Sequence, residues 1–301
     1  MAGLKKLPDR GDPSDILQLF PKLNFELLCC RYWWLKRWEF RELAFPYWRI
    51  YYNRQKGATI VSNGNTYDLE PDKIYLIPPN TSYSTSLFGH PIPATGYSLE
   101  GNRIETGRTS DFEEGKIVEH LFIHFNIGMP YDNLTPGIFV FEMTSHMEEK
   151  IWVITNHLKI DSSQINFYVF LAIQSLIGEI LSKIDNKYWE LITKDFRILN
   201  TINFIETNID QDLSNVVLSG NCNLATNAFA RLFKEEVGVS PQHFIRQKRI
   251  NNACALLHHT DDSLEEIAVK TGFTNRYHFT RIFKQVTGLS PARYRKEFRI
   301  R

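Results

Sequence analysis

The sequence predicts a multidomain protein of mixed α and β structure: a β sandwich or barrel, then a helical segment, then an all-α C-terminal part made of two related units. Three observations lead there. Short aromatic and β-branched runs with turn signals between them extend from about Phe25 to Met129, and the apolar period changes from two to roughly 3.6 after about Ser145. Near the C-terminus one phrase is written twice, as NLATNAFARLFKEEVGVSP at 223–241 and GFTNRYHFTRIFKQVTGLSP at 272–291. With 301 residues, 43% apolar and 23% charged, the chain is long enough for two cored domains and is not of disordered type. The expected divisions are an N-terminal arm over 1–24, a β domain over 25–144, a helical linker or dimerisation segment over 145–194 and a second domain over 195–301.

The β part follows from its punctuation. YWRIYYN, GATIV, TYDLEPDKIYLIPPN and KIVEHLFIHFNI read as strands. Asn63-Gly64 predicts a type I′ hairpin, because both central residues of that turn need positive φ. Pro71-Asp72 predicts a tight turn, and Pro78-Pro79 ends a strand because proline cannot donate to the ladder. Along the last strand Val118, His120, Phe122 and His124 share one face, and Glu119, Leu121, Ile123 and Phe125 the other.

In QINFYVFLAIQSLIGEILSKI, Ile165, Tyr168, Val169, Ala172, Ile173, Leu176, Ile177, Ile180, Leu181 and Ile184 recur at helical spacing, which predicts one long amphipathic helix. Its stripe suits packing on the β domain or pairing with a second copy, and both readings stand. From Phe196 onward the pattern is helical, broken at Gly220, Gly238, Gly272 and Gly288.

Laid over each other at an offset of 50, the two phrases match at Phe229/Phe279, Arg231/Arg281, Phe233/Phe283, Lys234/Lys284, Gly238/Gly288, Ser240/Ser290 and Pro241/Pro291. Upstream the offset is 49, aligning Leu218 with Ile267, Ser219 with Ala268 and Leu224 with Phe273, so the second copy has one extra residue in its turn. In that copy Leu264, Ile267 and Ala268 form the buried side of a short helix, Gly272 supplies a left-handed turn and Thr274 caps the next helix. Phe279, Ile282, Phe283 and Val286 are then expected inside, with Tyr277, Arg281 and Lys284 outside, flanked by His278 and Thr280. This is a helix-turn-helix. A second helix with donors and cations near its N-terminal half reads base edges in a major groove and neutralises phosphates. The units are placed at about 213–235 and 263–285. The segment between them, about 241–259, predicts a helix of roughly 27 Å, against about 34 Å for a turn of B-DNA. Arg246, Lys248 and Arg249 on it are candidate phosphate contacts.

These residues resemble the AraC/XylS family of bacterial transcription regulators over roughly 195–298, most closely in LEEIAVKTGFTNRYHFTRIFKQVTGLSPARYR. The resemblance places base-reading positions at Arg276, Tyr277, His278, Thr280 and Arg281, with Asn275 and Lys284 beside them. In the first unit they fall on Asn227, Ala230 and Arg231, with Thr226 and Lys234 beside them. That unit departs from the pattern: Ser219 replaces a packing alanine, Gly220 weakens its helix by about 1 kcal/mol, Ala225 replaces a Ser/Thr cap and Ala230 offers no hydrogen bond. Most base reading is therefore expected from the second unit.

The N-terminal region resembles the cupin-like double-stranded β-helix sensor that many family members carry, through YWRIYYN, PDKIYLIPPN and the strand ending in IHF. The resemblance implies a β jelly-roll that binds a small-molecule effector, a sugar among the candidates, and controls how the reader is presented. Arg49, Tyr51, Tyr83, His120 and His124 are the candidate pocket residues.

An enzyme of that fold would need a converging HxH, carboxylate and later histidine. Here His90 stands alone, and His120 and His124 lie about 13 Å apart along a regular strand. Cys29, Cys30, Cys222 and Cys254 form no CxxC. No enzyme activity, metal or cofactor is expected, and a reduced cytoplasm is. Neither a signal peptide nor a membrane span is predicted. Residues 195–301 carry 15 Lys/Arg against 11 Asp/Glu, whereas 1–194 carry 20 against 23, which places the basic surplus on the reader. The expected partners are double-stranded DNA, the effector, a second copy of the chain and, for an activator, RNA polymerase. The competing readings are a cupin-type enzyme with a vestigial DNA-binding tail and an effector-independent architectural DNA binder.

Overall fold

Alternation along single strands sets two cores in the first half of the protein. In strand β8 (Val118–Asn126), His120, Phe122 and His124 face the inside of a curled sheet, and Leu121, Ile123 and Phe125 face its outside, as the pattern predicts. The computed structural model describes residues 23–94, 97–104, 116–128, 131–132, 134–189 and 195–298. Nearly all of the expected N-terminal arm lies outside the described residues.

The strands are β1 (Glu26–Leu43), β2 (Trp48–Asn53), β3 (Ala58–Ser62), β4 (Asn65–Asp68), β5 (Lys73–Ile77), β6 (Tyr83–Leu87), β7 (Tyr97–Arg103), β8 and β9 (Phe139–Glu142). They form one antiparallel sheet in the order β4-β3-β6-β1-β8-β2-β5-β9, with β7 on β1. The 18-residue β1 pairs in turn with β8, β7 and β6, and the sheet curls into a half-barrel around it. Beyond Leu27 the register of β1 on β8 shifts by one, so that Cys29 lies opposite His124. Asn63 and Gly64 take φ of 50° and 79° and make the expected hairpin turn.

Outside the sheet lie α1 (Ser145–Ile160) and α2 (Phe167–Ser182), whose first turns are capped by Thr144 and Asn166. Met147, Ile151 and Ile154 from α1 and Ile173, Leu176 and Ile177 from α2 close over Trp48, Ile50, Leu121 and Phe125. Truncating one of these, Ile173→Ala, removes roughly 2–5 kcal/mol of stability. The predicted stripe thus packs on its own sheet. Two details differ: the helix starts after Ile165, and Tyr168 faces solvent together with Phe167, Trp152 and Ile160.

The remaining helices are α3 (Phe196–Thr207), α4 (Asn215–Asn221), α5 (Thr226–Val237), α6 (Pro241–His259), α7 (Leu264–Lys270), α8 (Arg276–Thr287) and α9 (Pro291–Phe298). Helix α6 belongs to both helical cores, and its Ala255 also packs on Phe45 and Tyr47. Its Phe244 and Ile245 join Leu218, Phe229 and Phe233, while its Ile250, Ala253 and Leu257 join Ile267, Phe279 and Phe283. The two units differ as the alignment requires, with residues 222–225 between α4 and α5 and 271–275 between α7 and α8.

Three expectations are corrected. Gly220 does not end α4, which runs to Asn221, and the left-handed residue of that turn is Asn223 at φ 53°. The cap of α8 is Asn275 and not Thr274, because the residue directly before the helix is the one whose carboxamide reaches the His278 N–H, at 2.9 Å. Val286 is exposed, at the edge of the apolar face. Gly272 is left-handed at φ 73°, as expected. Among the described residues no helix is long and apolar enough to cross a membrane.

Candidate nucleic-acid interface and half-barrel cavity

Phe279, Ile282 and Phe283 anchor α8, and this fixes what the helix presents. At 100° per residue, Tyr277, Arg281 and Lys284 occupy the centre of the outer face, Thr280 and Arg276 one flank and His278 the other. Tyr277 is 85% exposed. Arg276 donates to Glu265 on α7 at 2.8 Å, and this contact holds the Glu265 carboxyl below its ordinary range. Arg281 and Lys284 are exposed at the surface.

Helix α5 repeats the scaffold with a poorer face. Its cap, Ala225, makes no side-chain bond to the first turn. Thr226 shares a hydrogen bond of 3.2 Å with Ser219, which engages the hydroxyl locally. Asn227 and Lys234 are exposed, and Arg231 faces Glu235 at 3.8 Å. The positions matching Glu235 and Glu236 in α8 are Gln285 and Val286, so Arg231 has acidic groups on its own helix where Arg281 has none.

Two of the candidate phosphate contacts on α6 are committed elsewhere. Lys248 pairs with Glu206 of α3 at 2.7 Å. Arg249 donates to the carbonyl oxygens of Ile209 and Gln211, at 3.0 and 2.8 Å. A Cβ on Gly272 would lie 2.5 Å from the Ile209 oxygen and 2.7 Å from the Arg249 Cζ, so the turn of the second unit is seated on the first. Arg246 stays exposed.

Inside the half-barrel the structure brings together Arg49, Tyr51, Tyr83, His120 and His124. Arg49 is 2% exposed, lies over the Phe45 ring at 3.3 Å, and donates to Tyr83, to Tyr51 (3.4 Å) and to Tyr47 (3.2 Å). Among the described residues no carboxylate pairs with it, and its Nε has no partner. Burial holds the Tyr47, Tyr51 and Tyr83 phenols protonated. It also pulls His120 down to about 3, and His120 donates from Nδ1 to Asn53 at 2.6 Å. The cavity beside them is about 20 Å³, room for about one water molecule.

One wall of that cavity belongs to the C-terminal helical part. His258, at the end of α6, shares a hydrogen bond of 2.6 Å with Tyr47, and His259 stacks on His258 and approaches His124 to 3.4 Å. Burial, reinforced by the charge of Arg49, brings His259 down to about 3 and keeps His124 neutral, while burial pushes Cys29 up to about 12. Cys29, His124 and His259 each offer a donor atom within 4.8 Å of the others, a potential metal-ligating set where the sequence suggested none. A wider cleft of about 650 Å³, bordered by Asp132, Glu206 and Lys248, lies further along the same junction. Local sequence pattern does not single out Phe45, Tyr47, His258 or His259. The one available signal was a pair of histidines closing a helix.

Residues 218–297 match the family described as a helix-turn-helix domain. This is a helix-turn-helix domain of AraC type. Similar proteins include the probable transcriptional regulator LumQ of Photobacterium leiognathi, 27% identical over 160 residues, 52% of this chain and 63% of that one. The HTH-type transcriptional regulator YbfP of Bacillus subtilis is 35% identical over 98 residues, 33% of each chain. The chain thus spans less than two thirds of the length of these relatives. Among solved structures, ToxT of Vibrio cholerae aligns at a TM-score of 0.48 and 14% identity over 91% of this chain and 98% of that one.

Proposed function

We propose that this AraC-type chain is a sequence-specific DNA-binding transcription regulator whose β domain binds a small-molecule effector and thereby sets how the two helix-turn-helix units are presented. The observation that carries this reading is the shared wall: His258 of the reader helix closes the cavity that holds Arg49. A cavity with room for one water takes a larger ligand only if that wall moves, and a ligand acts by favouring one arrangement of the two parts over another.

Arg49 narrows the effector class. A buried cation without a countercharge is costly, so an effector carrying an acidic group suits this pocket better than a neutral sugar. The test is a gel-shift titration on the operator with and without a panel of carboxylates and sugars. Effector-dependent affinity in the wild type, absent in Arg49→Met, is expected. A response kept by Arg49→Met and lost by Lys248→Met would move the effector to the wider cleft, and no response to any effector would favour an architectural binder. Homodimerisation through Trp152, Ile160, Phe167 and Tyr168 completes the reading, and a concentration-independent monomer in sedimentation would remove that part.

A further inference from the structure

We propose that Cys29, His124 and His259 form a binding site for a single thiophilic metal ion that clips the DNA reader to the sensor. The three residues come from β1, β8 and the end of α6, so the site exists only when the two halves are docked. Two features of the fold assemble it. The register shift beyond Leu27 sets Cys29 across from His124 on the neighbouring strand. Helix α6 ends with His259 over the same spot, its Nε2 3.4 Å from His124 Nδ1.

That spacing suits coordination. With metal to nitrogen bonds of about 2.0–2.1 Å and metal to sulfur bonds of about 2.3 Å, ligand atoms around one ion lie roughly 3.3–3.9 Å apart. The histidine pair is already there, and the whole set, within 4.8 Å, closes with a shift of about 1 Å. Two neutral imidazoles and a thiol are soft to borderline donors, which select Cu(I) or Zn(II) over Mg(II) or Ca(II). Arg49, on the strand next to His124, opposes positive charge here. Coordination displaces the Cys29 thiol proton to solvent, and the thiolate so formed offsets that charge: Cu(I) on this set leaves a neutral centre, whereas Zn(II) leaves a net positive one. The electrostatics therefore favour Cu(I), which also accepts three ligands.

The test uses the full chain, stripped with a chelator and titrated with Cu(I) under anaerobic conditions and with Zn(II) separately, each against a competing chromophoric chelator. One equivalent of either ion per chain is expected, with Cu(I) the tighter. Cys29→Ser and His259→Gln should each weaken binding by more than the roughly 10–100-fold that outer-shell changes cause, while Cys222→Ser leaves it intact. Thermal unfolding of the metal-free variants verifies that they fold. Should a ligand variant fail to fold, X-ray absorption of the loaded wild type decides, with one sulfur and two imidazoles expected. Absence of stoichiometric binding, full affinity in folded His259→Gln, or a metal shell without sulfur would each overturn the proposal.

Discussion

Replacing Arg281 by alanine separates reading from folding. The side chain projects from the centre of the outer face of α8, and the residues that anchor this helix, Phe279, Ile282 and Phe283, are untouched. Stability should therefore stay within about 0.5 kcal/mol of wild type. If Arg281 makes one bidentate contact to a base, its loss costs about 1–3 kcal/mol, or roughly 5- to 150-fold in operator affinity. The matching change in the first unit, Arg231→Ala, should cost less, because Glu235 already competes for that guanidinium at 3.8 Å. The assay is fluorescence anisotropy with operator and scrambled DNA at one fixed salt concentration, beside urea unfolding of each variant. Equal losses in the two variants would refute the idea of a dominant second unit. An Arg281→Ala loss of the same factor on scrambled DNA would make Arg281 a phosphate contact instead.

Gly272→Ala should cost about 2–4 kcal/mol, from the left-handed backbone and the crowding against Ile209 and Arg249; an unfolding midpoint close to wild type would contradict that seat. Ala225→Ser should stabilise the first unit by about 1 kcal/mol by supplying the missing cap, read as a rise in its unfolding temperature. Asn227→Ala should weaken operator binding less than Arg276→Ala, with gel-shift titration as the check. His120 is neutral in the fold down to about pH 3 but takes a proton near pH 6.5 when unfolded, so its contribution is complete above pH 6.5 and is lost as pH falls from there towards 3. His120→Gln should lower the slope of stability against pH in that window by up to one proton.

Local pattern carried much of this structure. Alternation in β8 named both faces of the sheet, Asn63-Gly64 named a turn, and the change of offset from 49 to 50 located the extra residue between α7 and α8. What local pattern could not show depends on partners far along the chain. Lys248 and Arg249 resemble phosphate contacts until Glu206 and the Ile209 carbonyl, supplied by α3 and its loop, come beside them. Cys29 and His124 are unrelated in the sequence because their meeting depends on a one-residue register shift, and His259 reaches them only when α6 docks on the half-barrel. The cap at Asn275 was a question of one position, which propensity alone does not resolve.

Helix α6, continuous and built into both reader cores, also acts as a ruler with a phase. Inserting one residue in its middle would turn one recognition helix about 100° relative to the other and move it about 1.5 Å along the axis. On the proposed DNA-binding function, the sequence each unit prefers can therefore drift through its exposed side chains, whereas the spacing and rotational setting of two half-sites would be held by the backbone.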